Sequence, residues 1–179
     1  MGPVRVVVTG GECTGKTTLA RALAERWKTA WAAEAAREVA LARPGALGPE
    51  DVPAIARAHL RLADEAERAS RESGRPVVFL DQDLLSTVVY ARHYYGSCLP
   101  WIERLAVERR GDLYLLCAPD LPWESDGVRD RPAARADIHA LFAEALRQAG
   151  ARVAEVSGSG DARTAGAVAA VEELPAPGH

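Results

Sequence analysis

The stretch GGECTGKT, Gly10 to Thr17, spaces its residues as Gly-x-x-x-x-Gly-Lys-Thr. Those residue types in that order build a phosphate cradle. Gly10 and Gly15 allow the backbone conformations that turn N–H groups inward on an anion. Lys16 brings a point charge to the β- and γ-phosphates, and Thr17 offers its hydroxyl to Mg²⁺. Gly11, Glu12, Cys13, Thr14 and Thr18 complete the candidate nucleotide site. The plain alternative is a glycine-rich turn that only resembles the motif. Its context argues otherwise, because a buried strand leads into it and a helix leads out.

A second signal is VVFLDQD, residues 77–83. An apolar run ending in Asp81 reads as a strand whose carboxylate supports Mg²⁺, directly or through water. Its alternative is a strand-ending Asp that caps the next helix. Asp83 lies two residues on and is expected to face the same side, nearer the acceptor hydroxyl. Glu34 and Asp81 are the other carboxylates that qualify as the base. The third signal is WESDGVRDRPAAR, residues 123–135, where Arg129, Arg131 and Arg135 share one loop and helix start. Guanidinium forks fit phosphate oxygens and stabilise charge as a phosphoryl group moves. The segment reads as an arginine lid, the alternative being a solvated loop salt-bridged by Asp126 and Asp130. Arg129 and Arg135 are the catalytic candidates, and Asp126 a substrate-binding one.

Weaker signals surround these. Glu34 and Arg37 in EAARE follow a short strand and either face the substrate or form a solvated helix turn. Tyr90 and Trp123 are able to stack on an aromatic ring, although packing is the ordinary fate of either. GSGDARTA, residues 158–165, reads as an adenine-side loop with Arg163 near the base, compatible with Ser159 or Asp161 capping a helix. His59, His93, His139 and His179 have no ligand spacing and are expected to be structural or exposed.

The elements that must position these residues follow from periodicity. Short β-branched or apolar runs at 5–10, 29–34, 76–81, 112–119 and 151–158 read as strands. Helical patterns fall between them: from Lys16, with Leu19, Leu23 and Trp27 on one face; at 34–42; at 49–73, with Ile55, Leu62, Ala66 and Ala69 on one face; at 84–95; at 99–110; at 136–150, with Ile138, Leu141, Phe142 and Leu146 inward; and at 161–174. The β-branched Val88 and Val89 weaken the helix at 84–95. Strands alternating with helices build an α/β fold, a parallel sheet covered on both faces with right-handed crossovers. Ligands bind such sheets at the carboxyl ends of the strands. Gly10, Asp81, Pro119 and Gly158 should therefore share one rim.

Composition sets limits. The 179 residues suit a single domain, 1–179, with 175–179 as a flexible tail and no internal repeat. A net charge of −3 offers no broad basic field for nucleic acid. Cys13, Cys98 and Cys117 lack paired spacing, which argues against zinc or disulfides and suits a reducing cytoplasm. The apolar start VRVVVTGG reads as a strand rather than a signal peptide, and no run approaches the ~20 apolar residues of a membrane span. The expected partner is a small molecule, and the oligomeric state stays open.

The segments GGECTGKTTLARALAE, EAARE, VVFLDQD, DLYLLCAPDLPWESDGVRD and VSGSGDARTAGAV run in an order that resembles the bacterial ribosylnicotinamide kinases, the kinase domain of NadR-type NAD-salvage proteins. The likeness covers about residues 4–172. It implies a three-layer P-loop kinase fold with a five-stranded sheet, ATP and Mg²⁺. It also implies γ-phosphate transfer to the 5′-hydroxyl of nicotinamide riboside, giving nicotinamide mononucleotide, with Trp123 against the pyridinium ring. Cys13, Gln82 and Arg131 with Pro132 stand where the family commonly has other residues. The DNA-binding and adenylyltransferase parts of the larger proteins are not expected in 179 residues. Other readings are a kinase of another nucleoside or small alcohol, an NTPase switch acting on a protein partner, or a non-catalytic nucleotide-binding module. An arginine lid favours a kinase, which must exclude water so that ATP is not wasted.

Overall fold

A computed structural model describes residues 2–42, 45–122 and 135–174. Five strands form its sheet: β1 (Val4–Thr9), β2 (Trp31–Ala32), β3 (Val77–Asp81), β4 (Leu113–Cys117) and β5 (Val153–Val156). Their order is β2-β3-β1-β4-β5, and every pairing is parallel. Seven α-helices connect or flank them: α1 (Lys16–Trp27), α2 (Ala35–Leu41), α3 (Val52–Glu72), α4 (Leu84–Tyr95), α5 (Pro100–Glu108), α6 (Arg135–Gln148) and α7 (Gly160–Glu172). A 3-10 turn, Pro49–Asp51, leads into α3.

The period-two alternation of side chains divides the core between the sheet's two faces. Val6, Val8, Phe79, Leu113 and Leu115 pack with Leu19, Ala20 and Leu23 of α1 and with Ala167 and Val171 of α7. Val7, Val78, Leu80, Tyr114 and Leu116 pack with α3, α4, α5 and α6. This is the three-layer arrangement expected from the alternating pattern.

Three helices differ in detail. On α3 the buried stripe is Val52, Ala56, His59, Ala63, Ala66 and Ser70, whereas Ile55 and Leu62 are half-buried and Ala69 is exposed. The buried face is thus centred on small residues, and the larger Ile55 and Leu62 lie at its flanks. On α6, Ile138, Phe142 and Leu146 are buried, but Leu141 is exposed. Val88 and Val89 do not break α4. Both are buried together with Leu84, Leu85 and Ala91, so burial outweighs the small propensity cost of β-branching.

The buried His59 lies on the α3 stripe. Burial pushes its imidazole down to about 4, so it stays neutral at physiological pH. An unfolded chain binds that proton from about pH 6.5 downward, and the folded chain does not. Stability should therefore fall as pH drops from 6.5 to 4, by on the order of 3 kcal/mol from this group. Urea denaturation of wild type and His59→Gln across that range checks it. The variant should lose this part of the slope, and identical slopes would contradict the assignment.

Candidate active site

The cradle forms where β1 meets α1. Gly10 has φ +129°, and a Cβ there would lie 2.9 Å from the Cys117 carbonyl oxygen, so only glycine fits. Gly15, at φ +74°, is the N-cap of α1, with no side chain capping the helix. No acidic residue occupies the first turn either. The helix therefore opens with its backbone donors and positive dipole end available to an anion. Cys13 also adopts a left-handed φ of 53° within the loop. Thr14 Oγ1 donates to the Gly11 carbonyl at 2.9 Å, and Lys16 Nζ donates to the same oxygen at 2.6 Å. The lysine is thus curled into the cradle and largely buried. Thr18 is exposed on the first turn of α1.

The metal candidates meet across the sheet. Thr17 Oγ1 donates to Asp81 Oδ2 at 2.5 Å. Asp81 ends β3 fully buried, and its Oδ1 has no hydrogen-bond partner among the described residues. Burial, first, and the nearby Glu34 charge push its carboxyl up to about 6, while the Thr17 hydrogen bond and the Lys16 charge oppose that rise. An orphaned carboxylate oxygen beside a threonine hydroxyl is a donor set that suits Mg²⁺, which takes one or two protein oxygens and otherwise water and phosphate. Thr17 and Asp81 would hold it.

Asp83 requires a correction in placement. It does not share a side with Asp81. Its Oδ1 accepts the Leu85 N–H at 3.0 Å as the N-cap of α4, and its Oδ2 accepts the Tyr114 hydroxyl at 2.5 Å. Burial raises its pKa, and both oxygens are engaged beneath α4. The Tyr114 phenol is itself held far up, by burial first and then by the Asp83 charge. This geometry suits an anchor for α4 rather than a base for an acceptor. Asp83→Ala removes a cap and strands a buried hydroxyl, so it should cost about 2–4 kcal/mol. Chemical denaturation checks this. An undiminished stability with lost turnover would return Asp83 to the acceptor side.

The residues beside the cradle enclose a cavity of about 430 Å³. Glu12 of the cradle, Glu34 before α2, Gln82 after β3, and Ser86, Thr87 and Tyr90 of α4 line it. Tyr94 and Tyr95 continue the wall, and His59 and Ile55 of α3 contribute from the other side. Tyr90 and Tyr94 stack with ring centroids 6.0 Å apart and planes within 5°, while Tyr90 meets Phe142 edge-on at 5.5 Å. The Tyr94 hydroxyl donates to Glu12 at 3.3 Å.

Glu34 and Tyr90 both line the cavity. Arg37 stays largely exposed, with Nε 4.0 Å from Glu34, and does not line it. The sequence reading missed Gln82, Thr87, Tyr94, Tyr95 and His59 as lining residues. The paired aromatics of RHYY were the available signal. It also kept Glu12 with the nucleotide alone, although its side chain reaches the cavity.

Two arginines among the described residues lie on the nucleotide side. Arg163 is buried and does not project as a base-binding side chain. It donates to Asp120 Oδ1 (2.7 Å) and to the carbonyls of Gly158 (2.7 Å), Thr14 (2.9 Å) and Ala118 (3.0 Å). It therefore ties the cradle to the ends of β4 and β5. Ser159 is the N-cap of α7 by position but makes no side-chain cap bond. Arg135, at the start of α6, donates to the Leu121 carbonyl at 2.9 Å and to the Cys13 carbonyl at 3.3 Å, which places it against the cradle. Trp123, Asp126, Arg129 and Arg131, with the rest of the expected lid, lie outside the described residues, as does the 175–179 tail.

Comparison with known proteins adds four findings. A family model described as AAA domain (AAA_28) matches residues 5–163. The trifunctional NAD biosynthesis/regulator protein NadR of Escherichia coli (strain K12) is 31% identical over 149 residues, covering 80% of this chain and 35% of that protein. A crystal structure of a NadR protein in complex with NR has a TM-score of 0.81 at 25% identity, covering 96% of this chain and 50% of that one. Another NadR structure, in complex with NAD and AMP-PNP, has a TM-score of 0.78 at 26% identity over 96% and 49%. The chain thus spans about a third of the curated relative and half of the NadR chains in those crystals. Among the described residues, no helix is long and apolar enough to cross a membrane.

Proposed function

The chain belongs to the AAA domain family (AAA_28) and is homologous to NadR; from that premise we propose that it is an ATP-dependent nucleoside kinase, cytoplasmic, with nicotinamide riboside as its acceptor. The observation that carries the reading is the adjacency of two sites. The cradle suits the phosphates of ATP, and the tyrosine-walled cavity begins at Gln82, the residue after Asp81. A nucleoside in that cavity would present its 5′-hydroxyl to the γ-phosphate, with its ring among Tyr90, Tyr94 and Tyr95. Two carboxylates, Glu12 and Glu34, line the cavity, and among the described lining residues there is no lysine or arginine. That balance suits a cationic pyridinium ring, which aromatic faces also favour.

In this reading Lys16 binds the β- and γ-phosphates, and Thr17 and Asp81 hold Mg²⁺, whose charge neutralises the phosphate oxygens when bound. Arg135, held against the cradle, would act on the charge of the transferring group, and Arg129 is proposed to act with it. Glu34 replaces Asp83 as the residue that accepts the acceptor hydroxyl. A loose phosphoryl-transfer transition state asks little of a base, so Glu34 acts mainly by orienting that hydroxyl.

Glu34→Gln should lower kcat about 10- to 100-fold while leaving the KM for ATP nearly unchanged. An unchanged kcat would remove Glu34 from the mechanism. The function itself is tested with an acceptor panel of nicotinamide riboside, its nicotinic acid analogue, uridine, cytidine, deoxynucleosides and small alcohols. Nicotinamide riboside should give the highest kcat/KM. A better acceptor elsewhere in the panel would overturn the acceptor assignment and keep the kinase. ATP hydrolysis indifferent to every acceptor would favour an NTPase switch.

A further inference from the structure

Gln82 lies between two fixed carboxylates. Asp81 before it is held by Thr17, and Asp83 after it by Leu85 and Tyr114. Its own backbone sits at φ +73°, a left-handed conformation that side-chain-bearing residues rarely adopt. The Gln82 N–H donates to the Val8 carbonyl at 3.0 Å, which ties this turn to the end of β1. The amide oxygen accepts the Thr9 hydroxyl at 3.3 Å. The side chain is almost wholly buried, yet it lines the large cavity. Glycine would adopt this φ freely, so a strained glutamine at a cavity wall points to work done by its side chain.

A second observation concerns the same end of the cavity. Thr87 Oγ1 is buried and has no hydrogen-bond partner among the described residues. Thr87 lines the cavity together with Ser86 and Gln82. The tyrosine wall lies further along α4. At about 1.5 Å per residue, Tyr94 is roughly 12 Å along the helix from Ser86. The cavity therefore has an amide- and hydroxyl-lined end at Gln82, Ser86 and Thr87, and an aromatic wall, with Glu12 against it, further along α4.

We propose that Gln82 is a specificity-determining residue for the sugar of the acceptor: Thr9 pins its amide oxygen, and its amide N–H₂ donates to a ribose hydroxyl oxygen. The inference rests on the nucleoside-kinase reading above. It makes the enzyme selective for ribosides over deoxyribosides, because a buried donor left without its partner penalises the analogue that lacks the hydroxyl.

The test compares wild type with Gln82→Gly, which removes the amide while relaxing the backbone. Thermal stability should change little, because relief of the left-handed φ opposes the loss of the buried Thr9 contact, and a melting curve confirms that the variant is folded. The KM for the riboside should rise at least about tenfold, with the KM for ATP within about twofold. The 2′-deoxy and 3′-deoxy analogues then identify the contact. For one of them, the penalty seen in wild type should shrink about tenfold in Gln82→Gly. An unchanged riboside KM, or equal deoxy penalties in both proteins, overturns the proposal while the kinase stands. A wild-type protein that phosphorylates no nucleoside overturns both together.

Discussion

Lys16→Ala should lower acceptor-dependent ATP turnover by about 10²- to 10³-fold, the cost of removing one preorganised positive group from developing transition-state charge. The ammonium sits inside the cradle, 2.6 Å from the Gly11 carbonyl. No other lysine or arginine of the sequence occupies the motif GGECTGKT, so nothing within it replaces the charge. The fold should survive. Gly10 and Gly15 set the loop by their backbone angles, and Arg163 braces it at the Thr14 carbonyl. Steady-state kinetics with a melting curve on the same sample checks both parts. A folded variant with near wild-type turnover would show that the cradle does not hold the reacting phosphates.

The second large effect belongs to Asp81→Asn. Its buried Oδ1 has no partner among the described residues, while Oδ2 takes the Thr17 hydroxyl. Asparagine is able to keep the Thr17 contact but carries no negative charge for a divalent cation. Turnover at saturating ATP should fall about 10²-fold or more, and the Mg²⁺ concentration giving half-maximal rate should rise about tenfold. The uncharged side chain also avoids burying a carboxylate, so the variant should melt no lower than wild type. Magnesium titrations of both proteins at fixed ATP read this directly. An unmoved Mg²⁺ midpoint would take Asp81 out of the metal site.

The cradle and the end of β3 were legible in the sequence because short-range rules fix them. A Gly-x-x-x-x-Gly-Lys-Thr spacing leaves the loop few shapes, and four apolar residues followed by Asp have one plausible place in a parallel sheet. Asp83 was misplaced because period-two alternation was carried past the strand end. The left-handed φ at Gln82 breaks that alternation and turns Asp83 under α4. A glutamine gives no sequence sign of such a turn, as a glycine would. Arg163 was legible as a residue near the cradle, but not its direction: four acceptors from three separate segments decide that. The cavity wall was the least legible. Its residues come from the cradle, α2, α3 and α4, and only packing brings them together. The buried face of α3, which leaves Ile55 and Leu62 half-buried where they had been expected to face inward, has the same tertiary origin.

The central claim is that the cradle and the tyrosine-walled cavity act on two substrates together. The most direct measurement follows ADP and nucleoside 5′-phosphate in the same reaction, with and without nicotinamide riboside. The account predicts one nicotinamide mononucleotide for each ADP, and little ADP when the acceptor is withheld. ADP released at the same rate with or without the riboside, and no mononucleotide formed, would contradict it.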